Sequence, residues 1–362
     1  MSLTIIAEAG VNHNGSLERA LEMVDVAAAA GADIIKFQTF SADKLARKDA
    51  KLAEYQKTSH GDERSQWDLL KGLELSHEEF RKIRDRCDEV GVGFLSTGFD
   101  LDELAFLISE LRIPLVKVAS GDLTFAPMLV DAGLAGLPVV LSTGMADLDE
   151  IDRALQFIAF GQAQAAGLVS RDAMPTAEVL AEAWARPEVQ QLLQGVVTIL
   201  HCTTQYPAEP HMLNLRAMTT IAERFGLDVG YSDHSLGGLA STIAVTLGAT
   251  VIEKHFTLDK GLEGPDHLAS LDAAELVEFV KELRAVEVML GSDIKQAQPE
   301  ELSNRDVVRR SLVATRPIAE GETIEASAIE CRRPGAGRSS FDFWQVVGTP
   351  ATRSYEAGEY VG

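Results

Sequence analysis

The chain has 362 residues and a formal net charge of −22, with 33 Lys and Arg set against 55 Asp and Glu. So acidic a surface repels nucleic acid and anionic membranes, and any anionic ligand must be met by a local basic pocket. With 46% hydrophobic and 24% charged residues, the chain can fill a sizeable core and is not expected to be disordered.

Met1 and Ser2 run almost directly into the first apolar run, 4–7, so no secretory leader is expected. Ser16 is placed to cap a helix over Leu17–Ala30, with Gly31 just past its end. A second strand is expected at 33–37. Ser76, three residues before Glu79, marks a capping box opening a helix that runs to Val90. Further strands follow at 93–96, 115–119 and 138–141. Residues 161–194 then add an Ala- and Gln-rich, mostly helical insertion with no evident chemistry. Strands resume at 196–200 and 228–231. The longest uncharged stretch that might span a membrane, 235–252, is interrupted by Gly237, Gly238 and Gly248 and ends at Glu253, Lys254 and His255. It reads as a buried helix leading into a buried strand at 250–253, not as a membrane span. Ala273–Leu290 is the longest amphipathic helix.

Eight strands, nearly continuous in Val, Ile, Leu and Ala and alternating with helices, predict a (β/α)₈ barrel over 1–290. The alternative, an open doubly wound sheet, calls for a glycine-rich dinucleotide fingerprint after the first strand. Residues 8–15 read EAGVNHNG, which does not match it. A polar linker is expected at 291–308. A small, mostly β domain follows at 309–362, too small to be comfortable without docking on something. The three cysteines, Cys87, Cys202 and Cys331, suggest neither a disulfide framework nor a zinc ribbon. The expected location is the reducing cytoplasm.

Barrel chemistry sits at the C-terminal ends of the strands. Every predicted strand ends there in polar residues. Lys36 and Lys117, surrounded by the hydroxyls of Thr97, Ser120, Ser142 and Ser232, form a candidate cradle for phosphate and carboxylate. Either lysine alone is equally well read as paired with a barrel glutamate; the pair with four hydroxyls favours the cradle. His234 and His255 end adjacent strands and can together hold one divalent metal, although either alone is better read as a satisfied core histidine. Glu8, at the end of the first strand, is a candidate for proton transfer. Asp266, just beyond strand eight, fits a functional carboxylate and a turn-former equally well.

The ordered motifs AEAGVNHNGS (7–16), IIKFQTF (34–40), VKVASGD (116–122), LSTGM (141–145), LHCTTQYP (200–207), GYSDHS (230–235), VIEKHFTLDK (251–260) and GPDHLAS (264–270) resemble those of the sialic acid synthase family. RRSLVA (309–314) and RRPGAG (332–337) resemble its antifreeze-like C-terminal (SAF) domain. The resemblance spans nearly the whole chain. It implies a TIM barrel followed by that small β domain, and condensation of phosphoenolpyruvate with an N-acylated mannosamine-type sugar, releasing phosphate. The acceptor is N-acetylmannosamine or, alternatively, a 2,4-diacetamido-trideoxy hexose, as in legionaminic or pseudaminic acid synthesis.

Carried over by motif, His234 and His255 would bind the metal, usually manganese, with magnesium or cobalt as alternatives. Lys36, Thr97, Lys117, Ser120, Ser142 and Ser232 would bind phosphoenolpyruvate. Gln38, Tyr206, Asp266 and Arg333 would bind the sugar, and Glu8 would act near the reacting carbons, with Lys36 and Lys117 stabilising charge. The resemblance also implies a domain-swapped homodimer in which Arg333 acts in trans. The chain departs from the family's pattern at Asp122, often Glu; in the Thr203-Thr204 loop, sometimes carrying Asn; and in its longer 161–194 insertion. Two rivals are a metal-dependent nonulosonate aldolase and a non-catalytic carbohydrate-binding protein.

Overall fold

The computed structural model describes residues 3–50 and 65–362. Met1 and Ser2, read above as the short lead into the first strand, lie outside the described residues. Two compact units form, Met1–Gly291 and Ser292–Gly362.

The first unit is the expected barrel. Its strands are β1 (Thr4–Gly10), β2 (Ile34–Thr39), β3 (Gly93–Gly98), β4 (Val116–Val118), β5 (Val139–Ser142), β6 (Val197–Cys202), β7 (Asp228–Asp233) and β8 (Val251–His255). All ladders are parallel, in the order β3-β2-β1-β8-β7-β6-β5-β4. β3 and β4 lie against each other and complete a nearly closed ring, with no named ladder between them among the described residues. Each strand is buried on both faces, as a ring filled by side chains and wrapped in helices requires.

The helices begin and end where local chemistry dictates. Ser16 accepts from the Arg19 amide, and Gly31 closes the helix Leu17–Ala30 in the left-handed region at φ 80°. Ala20, Met23, Val24, Ala27 and Ala30 of that helix are buried, a helical stripe facing the barrel. Reciprocal capping boxes join Ser76 with Glu79 and Asp272 with Glu275. The uncharged stretch 235–252 resolves into the helix Leu239–Thr246 and the start of β8. Among the described residues no helix is long and apolar enough to cross a membrane. The 161–194 segment carries the end of the helix Leu148–Ala165 and two short helices, Ala177–Trp184 and Pro187–Gln191. Leu180 and Ala183 pack on Phe160 in a satellite apolar cluster, a structural use for the insertion.

In the second unit, β9 (Ser311–Ala314) pairs antiparallel with β10 (Ile329–Arg332). Its own core gathers Leu312, Ile318, Ile324, Ile329, Val346 and Tyr355. The segment expected as a plain polar linker instead contains a helix, Pro299–Val308. Gln298 and Glu301 form its capping box and Pro299 fills its first turn, a start signal that polarity alone conceals.

Candidate active site

The register of the parallel ladders brings the charged strand ends into one ring. Glu8 lies opposite Lys36 on one side and opposite His255 on the other; Ser232 lies opposite Glu253. Lys36 Nζ is 2.7 Å from Glu8 Oε2 and 3.5 Å from Glu253 Oε2. Lys117 Nζ is 3.6 Å from Glu253 Oε1. Lys36 also donates to Thr97 Oγ1 at 3.3 Å, Gln38 Nε2 to Glu8 Oε1 at 3.3 Å, and Ser232 Oγ to Glu253 Oε1 at 2.9 Å. Both lysines are paired with barrel glutamates, and Lys36 also meets the Thr97 hydroxyl.

Glu253 joins the two lysines, a role that the sequence reading above does not assign to it. The available signal was strand alternation: in VIEKH, Glu253 shares a face with His255 while Lys254 takes the other.

Electrostatics set the protonation states. Burial pushes the Glu8 carboxyl up to about 7, against the downward pull of Lys36. Burial acts the same way on Glu253, but Lys117 and Lys36 outweigh it and hold that carboxyl below its ordinary range. Burial lowers Lys117, offset in part by Glu253. Lys36 feels the same burial, but Glu253 and Glu8 together raise it. Whenever Glu8 carries its proton, the two lysines face the single Glu253 carboxylate, which makes the pocket more positive than the acidic surface around it.

The imidazoles lie beside this cluster. Their ring centroids are 5.5 Å apart. His234 Nδ1 donates to the Thr203 carbonyl at 2.7 Å, which leaves the lone pair on Nε2. His255 Nδ1 is buried with no hydrogen-bond partner, and the Asp266 carboxylate stands 3.9 Å away. Burial lowers the pKa of His234, and burial with the neighbouring His234 takes that of His255 well below its ordinary value. Both rings are thus neutral, the ligating state. No group of three or more His, Cys, Asp or Glu suited to a metal forms among the described residues. Two neutral nitrogens, one of them orphaned, fit a divalent ion whose other positions are filled by water and substrate oxygens.

The remaining candidates distribute as follows. The Tyr206 ring packs 4.1 Å from His234 and edge-on to His255 at 5.7 Å, centroid to centroid. Asp266 is buried, and burial raises its carboxyl to about 6. Ser142 Oγ is buried without a hydrogen-bond partner. Ser120 Oγ accepts from the Gly144 amide at 2.9 Å and lies 3.1 Å from Cys202 Sγ. A side chain on Gly144 would meet Thr204 Oγ1 at 2.3 Å, so backbone approach here requires glycine. Asp122, also raised to about 6 by burial against the pull of Lys117, has one buried oxygen without a partner. Arg333 belongs to the second unit, where it is exposed.

A (β/α)₈ barrel that gathers buried lysines, carboxylates and imidazoles at the C-terminal strand ends carries its polar groups where enzymes of this fold class carry their active sites. The sequence pattern of the NeuB family matches residues 23–295, and that of the SAF domain matches 309–362. The chain belongs to the NeuB family. It is 40% identical to N,N'-diacetyllegionaminic acid synthase of Legionella pneumophila over 99% of this chain and 93% of that protein. It is 38% identical to the N,N'-diacetyllegionaminic acid synthase of Campylobacter jejuni over 99% of this chain and 98% of that one. The crystal structure of N-acetylneuraminic acid (sialic acid) synthetase from Leptospira borgpetersenii in complex with citrate superposes with a TM-score of 0.66 at 30% identity, over 84% of this chain and 90% of that one. The family resemblance drawn from the motifs is thereby supported along the whole chain.

Proposed function

We propose that this protein is a nonulosonic acid synthase, a transferase that joins phosphoenolpyruvate to an N-acylated amino sugar and releases phosphate. The observation that carries this reading is the pair Lys36 and Lys117 sharing Glu253 beside two neutral imidazoles. Of the two acceptor classes, we favour a 2,4-diacetamido-trideoxy hexose over N-acetylmannosamine, because the relatives at 40% and 38% identity both make N,N'-diacetyllegionaminic acid.

In this reading Lys36 and Lys117 hold the phosphate and carboxylate of phosphoenolpyruvate, aided by Thr97, Ser120, Ser142 and Ser232. Gln38, Tyr206 and Asp266 orient the sugar so that its aldehyde carbon meets C3 of the enol. His234 and His255 would hold a divalent ion, manganese being the first choice, which when bound would supply Lewis-acid polarisation of the aldehyde oxygen. The new C–C bond turns the aldehyde oxygen into an alkoxide that takes up a proton and leaves C2 electron-poor; water adds at C2 and gives up a proton, and the resulting tetrahedral centre expels phosphate as C2 becomes a carbonyl. Glu8, with a pKa near neutrality, takes the proton of that water. The two lysines stabilise the anionic oxygens throughout.

We further read the protein as a cytoplasmic homodimer in which Arg333 of the second unit completes the sugar site of the other copy.

The deciding experiment measures phosphate release from phosphoenolpyruvate with a panel of acceptors, after chelation and again after manganese is returned. The expected result is metal-dependent release, fastest with the 2,4-diacetamido sugar, and no product from free pyruvate. Condensation from free pyruvate would identify an aldolase instead. Ligand binding with no turnover on any acceptor would identify a binding protein.

A further inference from the structure

Behind the imidazoles, on the opposite face of the same strands, lies a buried ionic network that the proposed reaction does not use. Asp233 ends β7 and lies opposite Lys254 on β8. Asp233 Oδ2 is 3.1 Å from Lys254 Nζ, and the two side chains are 0% and 1% exposed. Asp233 Oδ1 accepts from the Ser235 amide at 2.8 Å and from Ser235 Oγ at 2.7 Å. Asp233 Oδ2 accepts from Ser241 Oγ at 2.7 Å, tying the strand end to the helix Leu239–Thr246. Lys254 also donates to the Ser235 carbonyl.

Stability alone does not explain this arrangement. Taking two charges out of water costs several kcal/mol per ion, and well-packed apolar residues often do as well or better. One step earlier on the same face, the opposed pair is Tyr231 and Ile252, both fully buried. On this face charge appears at the last pair, beside His234 and His255. Its placement in the chain is informative. His234 sits between Asp233 and Ser235, and both of those contact Lys254. Lys254 in turn is covalently next to His255. The backbone on both sides of one imidazole is therefore fastened to the residue preceding the other.

We infer that Asp233, Ser235, Ser241 and Lys254 are positioning residues that set the spacing and aim of His234 and His255 toward a divalent ion. This rests on the reading of those histidines as metal ligands. A hydrophobic pair would hold the strands together but lacks direction. The ion pair and its four hydrogen bonds define the peptide orientation at the strand ends.

The test is manganese affinity in the substrate-free, full-length protein, followed by the loss of the free-ion electron paramagnetic resonance signal. Phosphoenolpyruvate affinity is measured alongside by calorimetry. Asp233→Asn and the apolar double variant Asp233→Leu/Lys254→Met are each expected to weaken manganese binding by about 10- to 100-fold, the usual cost of losing a group that orients a metal ligand. Phosphoenolpyruvate affinity should stay within about twofold, and the double variant should melt at or above the wild-type temperature. Unchanged manganese affinity in these variants overturns the inference, as does an equal loss of both ligands. If the double variant fails to fold, Ser241→Ala decides, because it removes one hydroxyl and leaves the ion pair. A weaker manganese affinity supports the inference and an unchanged one overturns it. His234→Ala tests the underlying reading separately: if it binds manganese as tightly as wild type, the histidines are not the ligands.

Discussion

Glu8 and Lys36 face each other across neighbouring strands at 2.7 Å, both buried, with the Glu8 carboxyl raised to about 7. A carboxyl so placed exchanges a proton near neutral pH while its partner stays cationic. Glu8→Gln keeps the shape and removes the base. Steady-state kinetics should show kcat reduced by about 10²- to 10⁴-fold with modest change in KM. A near-normal kcat would reduce Glu8 to a structural partner of Lys36.

Lys117→Met should weaken phosphoenolpyruvate binding by roughly 10- to 150-fold, the equivalent of about 1.5–3 kcal/mol for a charge-assisted contact. Sugar binding should change far less. Calorimetry that finds phosphoenolpyruvate affinity unaltered would remove Lys117 from the anion cradle.

Glu253 is the shared counter-charge of both lysines. In Glu253→Gln two buried ammonium groups lose it, and the protein should be destabilised by about 3–5 kcal/mol, as when one member of a buried ion pair is removed. An anion in the cradle restores the missing charge. Phosphoenolpyruvate should therefore raise the melting temperature of the variant more than that of the wild type. Equal ligand-induced shifts would show that Glu253 does not neutralise the cradle.

His13 provides a pH test away from the imidazole pair. It is 1% exposed, its Nδ1 accepts from the Gly15 amide at 3.1 Å, and its Nε2 has no partner. Burial lowers its pKa to about 4, from 6.5 in the unfolded chain. Below pH 6.5 the unfolded state takes up a proton that the folded state refuses. Stability is therefore fully present above 6.5 and is lost progressively down to about 4, by up to roughly 3 kcal/mol. In melting curves across that window, wild type should lose ground to His13→Asn as pH falls. Parallel pH profiles for the two proteins would contradict the assignment.

Subunit mixing tests the trans role of Arg333. His234→Ala carries a defective barrel with an intact Arg333; Arg333→Ala carries the reverse. Co-refolding the two should regenerate activity if Arg333 serves the other copy, since a mixed dimer then holds one intact site. Exchanged dimers without recovery would place Arg333 in cis or outside the site.

Sequence alone determined the eight strands, their helices and the rim on which chemistry collects. Continuous apolar runs, capping residues such as Ser16 and Ser76, and helix-ending Gly31 are local signals, and each acts within a few residues of itself. The motifs placed Lys36, Lys117, His234 and His255 at strand ends for the same reason. What only the tertiary structure decided is who meets whom across the ring. Glu253, Lys254 and His255 are consecutive, yet Glu253 bridges the two lysines, His255 faces His234, and Lys254 turns away to Asp233. Alternation separates the two faces of a strand, but in a barrel both faces are buried, so burial cannot tell which one is inside. That choice comes from the register of β8 against β7 and against β1, the latter bringing together residues more than two hundred positions apart in the chain.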